Sequence, residues 1–167
     1  MKGKKILIVE DDLAISDYAA IALRNQGCEV ETAADGKIGL EKAASFKPDL
    51  VVLDLMLPGV HGYEVCSRLK KDAAQNGVKV LITSSKSFSA DIAGAQEAGA
   101  DDYLTKPYKA AQLVARVKAL LDGTAKGIPD AETASAETRI EPIGAGPESA
   151  AAIVPAPEKP VPAAASE

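Results

Sequence analysis

The stretch Val51-Val52-Leu53-Asp54-Leu55-Met56-Leu57-Pro58-Gly59 sets one carboxylate in the middle of an apolar run. An ionised Asp buried without a partner costs several kcal/mol. Either the strand predicted here ends at Asp54 and the side chain reaches solvent, or a positive group sits against it. The unbroken apolar run before Asp54 suits a central strand buried on both faces, which is the habit of parallel sheets.

Working outward, short β-branched or apolar runs recur at Lys5–Val9, Glu29–Ala33, Leu50–Asp54, Lys79–Thr83 and Asp102–Thr105. Between them lie segments of helical length: Leu13–Gln26, Gly36–Ser45, Gly62–Lys71, Ser89–Ala98 and Ala110–Leu121. Ile15, Ala19, Ala22 and Leu23 share one face of the first helix; Leu113, Val117, Leu120 and Leu121 share one face of the last. Gly27 and Gly99 are placed to close the first and fourth helices. Five strands alternating with five helices imply right-handed crossovers and a doubly wound (βα)5 parallel sheet.

The composition changes near Gly123. Residues 123–167 hold seven of the ten prolines, twelve alanines and no aromatic residue, and carry four of the five net negative charges. With no apolar periodicity, such a segment buries too little to offset its ordering entropy. We read residues 1–122 as one domain and 123–167 as a disordered Ala/Pro/Glu-rich tail, either interactive or merely solubilising. The near balance of charge across the chain argues against a direct nucleic-acid partner working through broad electrostatics. Only four apolar residues, Ile6–Val9, follow the basic N-terminus before three acids, which is too short for a signal peptide or a membrane span. Cys28 and Cys66 lack metal-ligand spacing and suit buried or half-buried free thiols in a reducing cytosol.

Ligands of doubly wound sheets bind outside the carboxyl ends of the strands. Those ends carry Glu10-Asp11-Asp12, Asp54, Thr83-Ser84-Ser85 and Thr105-Lys106-Pro107. Asp12 also reads as the N-cap of the first helix. Crowded carboxylates with no His or Cys among them invite a hard divalent cation, Mg2+ rather than zinc. Lys106, at the end of the fifth strand, is placed to reach across and pair with Asp54. An Asp so placed is able to attack phosphorus, with a cation, an ammonium and a hydroxyl stabilising the transferring group.

The motifs "ILIVEDD", "PDLVVLDLMLPGVHGYEV", "VLITSS" and "AGADDYLTKPY" resemble the receiver domain of bacterial two-component response regulators, over about residues 4–121. The resemblance implies a flavodoxin-like sheet of strand order 2-1-3-4-5. It makes Asp54 the acceptor of a phosphoryl group from a sensor histidine kinase or phosphotransfer protein. Glu10 and Asp11 match the acidic pair; Asp11, Asp54 and the backbone carbonyl of Met56 would coordinate Mg2+. Thr83 matches the switch hydroxyl, Tyr103 the aromatic that reorients with it, and Lys106 the phosphate-binding lysine. Pro107 matches a cis-peptide position, and Ser84 stands where alanine or glycine is usual.

The function expected is a cytoplasmic phosphorelay switch that acts through protein contacts. Such a switch is not an enzyme beyond its own phosphorylation and dephosphorylation. The alternative is a receiver-like scaffold that is never phosphorylated, yet no acid, acceptor or lysine is missing. An aspartate-nucleophile hydrolase usually has a second acid two residues after the nucleophile, where this chain has Met56. His61 is expected as an exposed loop residue, and Cys66 as packing. Phe88 and Tyr108, beside the fourth and fifth strand ends, either anchor a partner or cover the rim.

Overall fold

Five parallel strands carry the molecule, in the computed structural model that describes residues 1–72, 77–86 and 89–128. The strands are β1 (Lys5–Val9), β2 (Glu29–Ala33), β3 (Leu50–Asp54), β4 (Lys79–Ser84) and β5 (Asp102–Thr105). The helices are α1 (Leu13–Arg24), α2 (Gly36–Phe46), α3 (Gly62–Lys71), α4 (Ser89–Glu97) and α5 (Ala110–Leu121). The sheet order is β2-β1-β3-β4-β5, all parallel. Order, element types and the places of all ten elements are those expected.

Alternation along each strand feeds two cores. Leu7, Val9, Val51, Leu53, Val80 and Ile82 face one layer, where Ala43, Val65, Leu69, Ile92 and Ala95 arrive from α2, α3 and α4. Ile6, Ile8, Leu50, Val52 and Leu81 face the other, covered by Ala19 and Leu23 of α1 and Leu113, Val117 and Leu120 of α5. The buried stripe of α1 is Ser16, Ala19, Ala20 and Leu23. It is rotated from the face drawn through Ile15 and Ala22, both of which are only half-buried, and Ile15 turns instead toward the carboxyl rim.

Ends of elements follow local chemistry. Asp12 caps α1, its Oδ1 accepting from Ala14 N at 2.8 Å and Ile15 N at 3.2 Å. Asp35 does the same for α2 through Ile38 N at 2.8 Å. Gly27 and Gly99 take φ of 81° and 85°, which closes α1 and α4 as anticipated. His61, by contrast, stands at the N-cap of α3 without any side-chain cap bond, its ring stacked on Tyr63 at 5.0 Å.

The amino-terminal edge of the sheet carries a repeated device. Asp49, just before β3, donates its N–H to Lys5 O and accepts Lys5 N on Oδ2, at 2.8 and 2.9 Å. Asp101, just before β5, donates to Val80 O and accepts Val80 N on Oδ2, at 2.9 and 2.8 Å. Lysines neutralise both: Lys4 for Asp49, Lys70 and Lys79 for Asp101.

Packing continues past Gly123. Thr124 and Ala125 donate their amides to Ala119 O at 2.9 and 3.0 Å. Ala125 lies against the α1/α5 core and Ile128 against the opposite one. The expectation of a tail without packed contact therefore does not hold for residues 124–128. Composition misleads there because two apolar side chains close to an anchored helix end suffice for docking. Residues 129–167, and the disorder expected of them, lie outside the described residues, as does Phe88.

Candidate functional site

Asp54 is the last residue of β3 and only 5 % exposed. Its Oδ2 accepts from Lys106 Nζ at 2.9 Å, and the same ammonium reaches Glu10 Oε2 at 2.7 Å. The carboxylate inside the apolar run is thus buried against a lysine delivered by the end of β5. Its other oxygen, Oδ1, accepts the Met56 amide at 3.1 Å. The chain turns back sharply at this point because Gly62 has no side chain: a Cβ there would lie 2.5 Å from Asp54 O and 2.7 Å from Leu55 Cα.

One ammonium does not balance the acids around it. Carboxylate oxygens of Glu10, Asp11 and Asp54 lie within 4.8 Å of one another. Burial, with Asp54 beside it, pushes Glu10 up to about 7 even though Lys106 opposes the shift. Burial works against the Lys106 charge, yet its two hydrogen-bonded carboxylates outweigh that and raise it. An oxygen-only cluster with excess negative charge fits a hard divalent cation.

These groups line a cavity of about 560 Å³. Its walls include Glu10, Asp11, Asp54, Met56, Ser85 and Lys106, so the structure brings together most of the expected set. Thr83 is the partial exception. It pairs with Asp54 in register, but it is fully buried, its hydroxyl donates to Leu53 O at 3.5 Å, and it is not among the lining residues. Ser84 is likewise fully buried, its Oγ accepting Lys86 N at 3.1 Å; it is Ser85 that faces the cavity. Tyr103 is 3 % exposed and donates to Lys86 O at 2.7 Å. The Lys106–Pro107 peptide is cis.

Three lining residues were not expected as cavity walls: Tyr18 of α1 was not singled out, Ile15 was read only as helix packing, and Pro107 only as a cis-peptide position. The i, i+3 spacing of Ile15 and Tyr18 just after the acidic run was the available signal. Tyr108 covers the rim and packs on the α1/α5 core. Burial, with Glu10 and Asp54 nearby, pushes its hydroxyl up to about 12.

Residues 6–118 match the family model of the response regulator receiver domain. The chain belongs to that family. This receiver is 42 % identical over 144 residues to the DNA-binding dual master transcriptional regulator RpaA of Synechocystis, covering 86 % of this chain and 59 % of the relative. It is 41 % identical over 118 residues to the DNA-binding response regulator MtrA of Mycobacterium tuberculosis, covering 71 % of this chain and 50 % of that protein. Among solved structures, the CheY-like receiver domain protein of Methanospirillum hungatei superposes with a TM-score of 0.69 at 32 % identity, covering 74 % of this chain and 97 % of that one.

The receiver spans about half to three-fifths of the length of these curated relatives. Both are DNA-binding proteins by name, and this overturns the expectation of no direct nucleic-acid partner. The balance of charge is counted over a chain that matches only about half to three-fifths of those relatives, so it sets no limit on what such proteins bind. Among the described residues no helix is long and apolar enough to cross a membrane.

Proposed function

We propose that this receiver takes a phosphoryl group on Asp54 from a sensor histidine kinase or phosphotransfer protein in the cytoplasm. The observation that carries the reading is Lys106, which joins Asp54 to Glu10 at the floor of an open cavity. A carboxylate oxygen of Asp54 attacks phosphorus, the donor's P–N bond breaks, and the imidazole leaves with the electron pair and takes up a proton. The Lys106 ammonium, already 2.9 Å from Asp54, is placed to hydrogen-bond the arriving phosphoryl oxygens.

Glu10, Asp11, Asp54 and the Met56 carbonyl would hold Mg2+, which supplies charge neutralisation on the phosphoryl oxygens when bound. Thr83 and Tyr103 form the switch: a hydroxyl drawn from Leu53 toward the new phosphoryl group favours a different seating of Tyr103. The output is a change in protein contacts, with no turnover beyond the receiver's own phosphorylation and dephosphorylation. Incubation with Mg2+ and acetyl phosphate, followed by intact-protein mass measurement, tests the reading. One added phosphoryl group in the wild type and none in Asp54→Asn supports it; undiminished labelling of Asp54→Asn sinks it.

A further inference from the structure

The first amide of α5 is satisfied from an unexpected quarter. Opening amides of a helix have no intrahelical acceptor and usually take an oxygen from the N-cap side chain. Lys109 stands at that cap and has no oxygen to offer. The hydroxyl of Tyr18, from α1, accepts the Ala110 N–H instead, at 2.7 Å. The segment from Lys106 to Ala110 is thereby fastened at both ends, since Lys106 N donates to Ser84 O at 2.7 Å. Tyr18 lines the same cavity as Asp54 and Lys106, and the residue is still 46 % exposed.

We propose that Tyr18 is a positioning residue for phosphoryl acceptance, its hydroxyl holding the start of α5 so that the Lys106 ammonium stays over Asp54. The inference rests on the reading of Asp54 as acceptor. Tyr18 itself touches neither phosphorus nor carboxylate; it acts through the four-residue link to Lys106. Removing the hydroxyl and keeping the ring leaves the wall of the cavity in place and frees only the link.

The test uses the full chain with acetyl phosphate and Mg2+. Tyr18→Phe is expected to stay folded, its melting temperature lowered by no more than the loss of one hydrogen bond, and to lose about threefold to tenfold in the saturating phosphorylation rate. The half-saturating donor concentration stays close to that of the wild type. In a Lys106→Ala background the same change should cost nothing further, because the group it positions is gone. The Lys106 Nζ resonance, which needs no turnover, should shift in Tyr18→Phe while core methyl resonances stay in place. A wild-type rate in Tyr18→Phe, an equal fold-loss in both backgrounds, or an unmoved Nζ resonance overturns the proposal. Loss confined to a phosphoprotein donor, with acetyl phosphate unaffected, would make Tyr18 a docking residue and also overturn it. A wild type that takes up no phosphoryl group overturns the acceptor reading itself.

Discussion

Tyr63 of α3 packs against Gly94 of α4, so close that a Cβ on residue 94 would stand 3.0 Å from Tyr63 Cζ. The ring has little freedom to retreat, because its hydroxyl donates to Asp91 O at 2.8 Å and its face stacks on His61. Gly94→Ala gains about 1 kcal/mol of helix propensity. Overpacking against a fixed ring costs about 1–3 kcal/mol. The net effect expected is destabilisation, and the sign should reverse in a Tyr63→Ala background. Urea denaturation of the four variants checks it; stabilisation by Gly94→Ala in the wild type would show that the ring yields.

The bare N-cap of α3 offers a second measurement. His61 gives its helix no side-chain acceptor. Asp at this position should be more stable than Ala by about 1 kcal/mol, since Asp offers a carboxylate oxygen to the first-turn amides and Ala offers none. Comparing those two variants removes the loss of the His61–Tyr63 stack from the difference. Equal denaturation midpoints would mean that a cap carboxylate adds nothing to the bonds Gly62 N and Glu64 N already make to Leu55 O and His61 O.

Glu10 predicts a pH dependence in chelator. Its folded value of about 7 lies above the ordinary 4.5, so the folded chain holds a proton that the unfolded chain releases. The associated stability is full below 4.5, falls as pH rises, and is gone above about 7. Melting curves of the wild type should therefore decline more steeply across this interval than those of Glu10→Gln. Mg2+ added at neutral pH should raise the wild-type melting temperature, as any ligand of the folded state does. Parallel slopes for the two proteins would remove Glu10 as the cause.

Much of this was legible beforehand because the deciding signals are local. Apolar runs, capping aspartates and closing glycines each report on their own neighbourhood, and together they fix a wound sheet whose carboxyl rim gathers Glu10, Asp11, Asp54 and Lys106. What escaped depends on distant pairs. Nothing near Tyr18 in the chain says that its oxygen will meet Ala110, 92 residues away. The inward turn of the Thr83 hydroxyl is a choice of rotamer inside a strand whose residue types permit either direction. The rotation of α1 likewise follows from where the rim needs Ile15, which helical periodicity alone does not encode.

Docking of the chain beyond α5 should register in stability. A chain ending at Asp122 lacks Ala125 and Ile128, which rest on opposite cores. It is expected to be about 1–2 kcal/mol less stable than one ending at Ile128, the scale of partly burying one Ile and one Ala. Matched denaturation curves for the two lengths would show that these contacts contribute nothing.

Met56 should govern how long a phosphoryl group survives on Asp54. Its side chain is 51 % exposed at the cavity, with Ser85 as the other uncharged wall of the approach. A thioether neither orients an attacking water by hydrogen bonding nor leaves it much room. Met56→Asn supplies both donor and acceptor, so phosphate release without a phosphatase should quicken severalfold. An unchanged or slower release would remove water exclusion as the explanation.

The aspartates ahead of β3 and β5 act as alignment pins. Each exchanges hydrogen bonds with one particular residue of the neighbouring strand, Lys5 or Val80, and a slide of either strand by one position would strand a carboxylate and its lysine together. A slide would also turn every side chain beyond it to the wrong face. Five residues of β3 and four of β5 separate the pins from the opposite rim, roughly 13–16 Å. The height at which Asp54 meets Glu10 and Lys106 is therefore decided at the far end of the sheet, by acids whose charge is already spent. That division of labour leaves the working carboxylates free to repel one another without loosening the frame that holds them.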